Sequence, residues 1–202
     1  MKKFIMAVSL AVFVGVLGVS ALCAVASPKT GDIIQFGEWD WRVLDVRDGK
    51  ALILTEHVIE RRPYDEQKTD VTWETCDLRK YLNGEFLRKF SREDQGRIAE
   101  TKVSNPDNPY HGTNGGGDTI DKVFLLSIEE AEKYFDTESK RIAADVDGNA
   151  SWWWLRSPAD TSDGAASVGE YGYIDYGGDA DSFASNADNP YGGVRPALWL
   201  EL

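Results

Sequence analysis

The chain has 202 residues, with 22 Lys and Arg set against 34 Asp and Glu and a formal net charge of −12. Such a surface repels phosphate backbones and anionic lipid headgroups, which excludes nucleic acid as a partner. Its two cysteines, Cys23 and Cys76, leave no intrachain disulfide once Cys23 departs with a leader.

The leader is the first element. "MKKFIMAVSLAVFVGVLGVSALCAVAS" opens on Lys2 and Lys3, continues as an uncharged apolar run from Phe4, and ends on the small-x-small trio Ala24-Val25-Ala26. That order reads as a secretory signal over residues 1–26, with a secreted or cell-surface protein to follow. The run is also long enough to span a bilayer at about 20 residues, so a membrane-held form is expected only if the segment stays as an anchor. Leu22 before Cys23 is too large for the usual lipoprotein site. Residues 27–202 are one domain's worth of chain, with no Pro/Ser linker dividing them.

The exported part opens in β structure. Ile33–Phe36, Trp39–Val46 and Ala51–Thr55 are strand candidates, and Asp48-Gly49 between two apolar runs is a strong hairpin signal. The middle is helical. Leu78, Tyr81 and Leu82 share one face, Asn83-Gly84 reads as a stop, and Ser91 with Asp94 starts a short helix ending near Ile98. In "KVFLLSIEEAEKYF" a strand over Val123–Leu126 runs into a helix announced by the capping box Ser127-x-x-Glu130. Residues 104–119 and 176–193 are loop-like, rich in Gly, Asn and Asp, and echo each other in "DNPYHG" and "DNPYGG". The last third returns to β at Trp152–Leu155, Ala166–Val168, Tyr171–Tyr176 and Val194–Leu200. Strands first and last with helices between them argue α+β, with a twisted antiparallel core, two or three helices and long loops.

"WWWLRSP" (Trp152 to Pro158) is the densest aromatic run. Exposing all three rings would leave hundreds of Å² of indole in water, at about 150–250 Å² each. At least two of Trp152, Trp153 and Trp154 therefore belong to a central strand covered on both faces, and the third is free to line a pocket. Arg156, and Arg195 in "GVRPALWL", are expected as buried structural arginines in ion pairs or carbonyl clamps. Pro158 and Pro196 each remove a ladder donor, so both strands should bend or lie at an edge there.

"WWWLRSP", "GVRPALWL", "TWETCDLRKYLNGEF" and "DKVFLLSIEEAEKYF", in that arrangement from about Gly31 to Leu200, resemble a bacterial family of exported and phage-associated domains described as a domain of unknown function. More distantly, the Arg-Ser block and the terminal Gly-Val-Arg-Pro-Ala strand are similar to the C-type-lectin-like fold of formylglycine-generating enzymes. That resemblance implies paired termini, a twisted antiparallel core and a long loop-rich region that binds ligands. It does not carry the oxidase activity, which relies on a cysteine pair to hold copper, whereas Cys76 stands alone in a helix-like block as a small buried side chain.

Other chemistry is thin. "DVDGN" alternates Asp145, Asp147 and Asn149 like the start of a calcium loop, but the twelfth position is Arg156 where that loop needs Glu. Asp175, Asp179 and Asp181 form another loose carboxylate cluster, so no cofactor is expected, calcium is left open and no metal ligand set is named. Nothing in the sequence places His57 and His111 together, and there is no nucleophile elbow, zinc spacing or phosphate loop. The leading expectation is an exported, non-catalytic recognition domain. It would take a carbohydrate or a protein partner through Tyr110, His111, Asn114, Tyr171, Tyr173, Tyr176 and Tyr191, since Tyr, Ser, Gly and Asn are what adaptable binding loops use. The alternatives are a hydrolase of polysaccharide or cell-wall material built on loop carboxylates, and a structural domain of a larger assembly.

Overall fold

Two residues of positive φ make the first turn. Asp48 (φ 50°) and Gly49 (φ 72°) close a two-residue hairpin between the strands Trp39–Arg47 and Lys50–Thr55, the backbone that Asp-Gly accepts readily. The structure, a computed structural model, describes residues 27–67, 69–176 and 192–202. The leader-like run, Tyr191, Asp179 and Asp181 lie outside the described residues. Strands β1 (Ile33–Phe36), β2 (Trp39–Arg47) and β3 (Lys50–Thr55) pair as antiparallel neighbours. A bulge between Val43 and Asp45 breaks the alternation of β2, so Val43 and Leu44 are both buried.

After the short strand β4 (Glu60–Arg61), α1 (Asp77–Tyr81) begins at Cys76. The expected stop at Asn83-Gly84 does not occur. The chain continues through a π-helical turn, Leu82–Phe86, and a 3₁₀ turn, Leu87–Lys89. The reason is a tertiary claim on Asn83: its amide donates to the Val123 carbonyl at 2.8 Å and its oxygen accepts from the amides of Lys122 (2.9 Å) and Val123 (3.1 Å). Helix α2 (Arg92–Arg97) starts where expected, with Ser91 accepting from the Asp94 amide at 3.0 Å. Strands β5 (Thr101–Val103) and β6 (Thr119–Asp121), which the sequence did not announce, form a ribbon that holds both ends of the 104–119 loop.

Val123–Leu126 is not a strand. Phe124 makes one isolated bridge with Ala197, and the carbonyls of Leu125 and Leu126 go instead to the guanidinium and amide of Arg156. Helix α3 (Ile128–Tyr134) carries the complete Ser127/Glu130 capping box and buries Ile128 and Ala131. With α4 (Glu138–Arg141) the described residues hold four α-helices rather than two or three. Strands β7 (Ala143–Ala144) and β8 (Ala150–Ser151) flank the "DVDGN" turn.

Next come β9 (Trp153–Pro158), β10 (Ala165–Val168) and β11 (Ile174–Asp175). The last is shorter than the expected Tyr171–Tyr176 because Gly169 bonds Tyr173 and Gly172 bonds Gly169 across a turn. Val194–Leu200 is two strands, β12 (Gly193–Val194) and β13 (Ala197–Glu201), in different sheets. Pro196 has no N–H to continue a ladder, and the chain changes sheets there. One sheet has the order β1-β2-β3-β13 and a second β11-β10-β9-β12-β4; the architecture is α+β with mainly antiparallel pairing. Strand β9 is central in the second sheet, with antiparallel β10 on one side and parallel β12 on the other. One apolar cluster runs through both sheets, and Trp41, Trp73, Trp153 and Trp154 are fully buried within it. Each of these indoles finds an acceptor, the Arg62 carbonyl at 2.9 Å for Trp154 and the Arg141 carbonyl at 3.2 Å for Trp153. Among the described residues no helix is long and apolar enough to cross a membrane.

Candidate functional site

The site begins at the far end of the tryptophan strand. Arg156 is 4% exposed, and all its guanidinium nitrogens are used. Nη1 donates to the Leu125 carbonyl at 2.8 Å and to the Glu130 carboxylate, while Nε and Nη2 donate to the Ser104 carbonyl at 3.3 and 3.0 Å. The next residue, Ser157, accepts from the Ile128 amide at 3.0 Å. Two neighbours in β9 therefore clamp the start of α3, and Arg156 also fixes the point where the 104–119 loop departs. Glu130 serves both the helix cap and the buried arginine, which is why its charge belongs there.

Asn108 then ties that loop to the next. It is buried, and its side-chain amide donates to the carbonyls of Pro158 (2.9 Å), Ala159 (3.2 Å) and Tyr176 (3.0 Å). Its oxygen accepts from the amides of Tyr110 (2.9 Å) and His111 (3.1 Å), so the same residue shapes the turn. Thr113 adds a bond to the Asp160 carbonyl at 2.7 Å. The result is a pair of rings, Tyr110 and Tyr176, with centroids 4.2 Å apart. Both hydroxyls meet one oxygen of Glu132 on α3, Tyr176 at 2.8 Å and Tyr110 at 3.5 Å. Partial burial, and then the Glu132 carboxylate, hold the Tyr176 phenol well above its ordinary value, so it remains a donor at neutral pH. Tyr110 is 61% exposed. An amphipathic aromatic face thus stands in solvent beside a carboxylate with free acceptor capacity.

A family model described as a domain of unknown function, DUF6273, matches residues 48–202. The chain belongs to the DUF6273 family. No curated protein and no solved structure matches it. The DUF6273 match contains the whole tyrosine pair, Asn108 and the Arg156 clamp, and begins at the Asp48-Gly49 turn.

The remaining expected site residues of this DUF6273 domain do not join that pair. His111 and Asn114 are exposed in the same loop, and Asn114 spends its oxygen on the Gly116 amide at 2.7 Å. Tyr171, 76% exposed, and Tyr173 stand on the turn between β10 and β11. No ring contact or hydrogen bond links them to Tyr110 or Tyr176 among the described residues. Tyr191 lies outside the described residues. Trp152 is half-buried and meets Trp154 edge-on at 4.8 Å.

Asp145 accepts from the amides of Asp147 and Asn149 and pairs with Arg61 at 3.3 Å, which makes "DVDGN" a turn between β7 and β8. Among the described residues no group of three or more His, Cys, Asp or Glu is placed to hold a metal ion. His57 is exposed after β3, in a different part of the chain from the His111 turn. Cys76 is buried as the N-cap of α1, and burial pushes its thiol up to about 12.

Asn108 and Glu132 were the members that sequence reasoning missed. The Asn-Pro pair in "DNPY" signals a turn but not a buried three-carbonyl tie. Glu132 sits on the exposed face of a helix, where nothing in the local sequence distinguishes it from Glu129.

Proposed function

We propose that this DUF6273 chain is an exported, non-catalytic recognition domain that takes a carbohydrate or a protein surface on the Tyr110–Tyr176–Glu132 face. The observation that carries the reading is Asn108, a buried amide spent entirely on fastening two loops whose exposed product is an aromatic pair and a carboxylate. Holding the rings in advance lowers the ordering cost of binding. Export rests on the leader-like sequence of residues 1–26. A C-type-lectin-like scaffold belongs to the same proposal. It is supported by the first and last strands sharing one antiparallel sheet, and by a loop-rich region joined to the β9 end. Calcium is not required by the residues named.

The test is a glycan array and an extracellular-protein pull-down with the full chain, with and without calcium. Tyr110→Ala and Glu132→Gln, both at exposed positions, should abolish or weaken any captured signal at least about tenfold. A wild-type chain with no saturable ligand, or variants that capture it equally well, would end the reading.

A hydrolase is a second reading with one observation behind it. Asp65 and Asp77 lie side by side at the start of α1, where the Asp77 amide donates to Asp65 at 3.1 Å. Burial pushes the Asp65 carboxyl up while Lys80, bonded at 2.8 Å, pulls that of Asp77 down, the divergence an acid and base pair needs. Release of reducing sugar from polysaccharide that disappears in both Asp65→Asn and Asp77→Asn would move the assignment to this reading.

A further inference from the structure

Arg195 sits where the chain crosses from one sheet to the other, between β12 and β13. It is 2% exposed, yet no carboxylate bonds it among the described residues. Nε donates to the Thr55 carbonyl at 2.8 Å and Nη2 to the Glu56 carbonyl at 3.2 Å. Nη1 is buried and has no hydrogen-bond partner among the described residues. The nearest acid, Glu56, is committed elsewhere: Arg42 grips it with two parallel bonds, Nε to Oε2 at 2.8 Å and Nη2 to Oε1. The guanidinium lies instead over the rings of Trp153 (5.0 Å) and Phe135 (5.7 Å). A buried cation without an anion is costly, and aromatic faces and carbonyls offset only part of that cost. Burial accordingly pushes Arg195 down to about 10.

The same arginine forms part of the wall of a cavity of about 610 Å³. Val43, Phe135 and Ile142 give that cavity an apolar side, and Arg42, Glu56, His57 and Lys140 give it a polar one. A volume of several hundred Å³ that sets an apolar wall against convergent polar groups can hold a small amphipathic ligand. We propose that this cavity binds a carboxylate carried on an apolar body, with the Arg195 guanidinium as its anchor. Because Nη1 is closed to solvent, binding requires the guanidinium to turn on its long stem, giving up the Glu56 carbonyl and presenting its unpaired edge to the carboxylate. The apolar body lies along Val43, Phe135 and Ile142. None of these residues belongs to the Tyr110–Tyr176–Glu132 face, so the site is independent of the recognition reading. The chemistry has two sources, a free small acid or the C-terminus of a peptide.

The full chain is titrated by calorimetry and by tryptophan fluorescence with three probes: hydrocinnamate, acetyl-Gly-Phe with a free carboxylate, and the corresponding acetyl-Gly-Phe amide. The expected result is saturable binding of at least one acid, a change in tryptophan emission, and binding of the amide at least about tenfold weaker, the loss a charge-assisted bond represents. Binding of the peptide acid alone assigns the source to a chain terminus, of hydrocinnamate alone to a small acid, and of both to either. Arg195→Lys keeps the charge but loses the fork, and should weaken the acid about tenfold. Ile142 lines the cavity and is 46% exposed, so Ile142→Glu keeps the fold and places a repelling charge beside the ligand. The proposal is overturned if neither acid binds at millimolar concentration, if amide and acid bind equally, or if folded Ile142→Glu binds the acid as the parent does.

Discussion

Arg156 and Arg195 close the two arginine-bearing blocks of the chain, and they are buried almost equally, at 4% and 2% exposure. Their surroundings differ. Arg156 faces the start of α3, where Glu130 is already held by the capping box and lends its carboxylate to both tasks. Arg195 faces the carbonyls at the end of β3, and the one acid nearby is taken by Arg42. One arginine is a closed joint and the other an open one. Burial alone therefore does not tell a fully satisfied arginine from one with a donor to spare; the count of satisfied donors does.

The sharpest way to break the comparison is to remove each charge in turn. Arg156→Met takes the cation from Glu130 and leaves the Leu125 and Ser104 carbonyls without their donors, and should cost about 3–5 kcal/mol in urea unfolding. Arg195→Met removes an uncompensated charge along with two carbonyl bonds, and the opposing effects should leave a loss of about 1 kcal/mol or less. Equal losses would erase the distinction.

The strand that delivers Arg195 offers the next test. A Cβ on Gly193 would come within 2.2 Å of the Trp152 carbonyl oxygen, so this position brings β12 against β9 only as glycine. Gly193→Ala should cost about 3 kcal/mol, read from the shift of the urea midpoint at constant slope. On the Arg156 side, Asn108→Ala should cost about 2 kcal/mol. Its amide-exchange signature should be faster opening confined to residues 104–119 and 158–176, with β13 unchanged.

The smallest effect concerns Cys76, whose thiol is raised from 9.0 to about 12 in the folded chain. The protonated form is favoured by folding, so its contribution is complete below about pH 9 and is lost as pH climbs toward 12. At pH 8 iodoacetamide should label Cys76 only at the rate of unfolding, mapped by mass spectrometry of its peptide. Fast labelling of the native chain would show an accessible thiolate and contradict the buried cap.

Much of this was local and therefore legible in the residues. Asp48-Gly49 prescribes a two-residue turn through its own φ preferences. Ser127 and Glu130 cap their helix through bonds four residues apart or less. Three adjacent indoles cannot all face water, and two of them are at zero exposure. The tyrosine face was half legible: loop composition pointed to Tyr110 and Tyr176, while Asn108 and Glu132 are joined to them only across the fold.

What the linear chain could not determine is where backbone bonds are claimed from a distance. Asn83 reads as a helix stop, yet it becomes a splint once Lys122 and Val123 arrive beside it. Val123–Leu126 has strand composition, but Arg156 and Asn83 take the partners a strand would need. Val194–Leu200 reads as one run, and only the presence of two sheets turns Pro196 into a crossing point. Composition and short-range chemistry determined the fold class, the turns, the caps and which rings hide from water, because those depend on neighbours a few residues away. The tertiary structure decided which arginine closes and which stays open, because that depends on acids brought in from residues 56 and 130, one already spent and the other free to share.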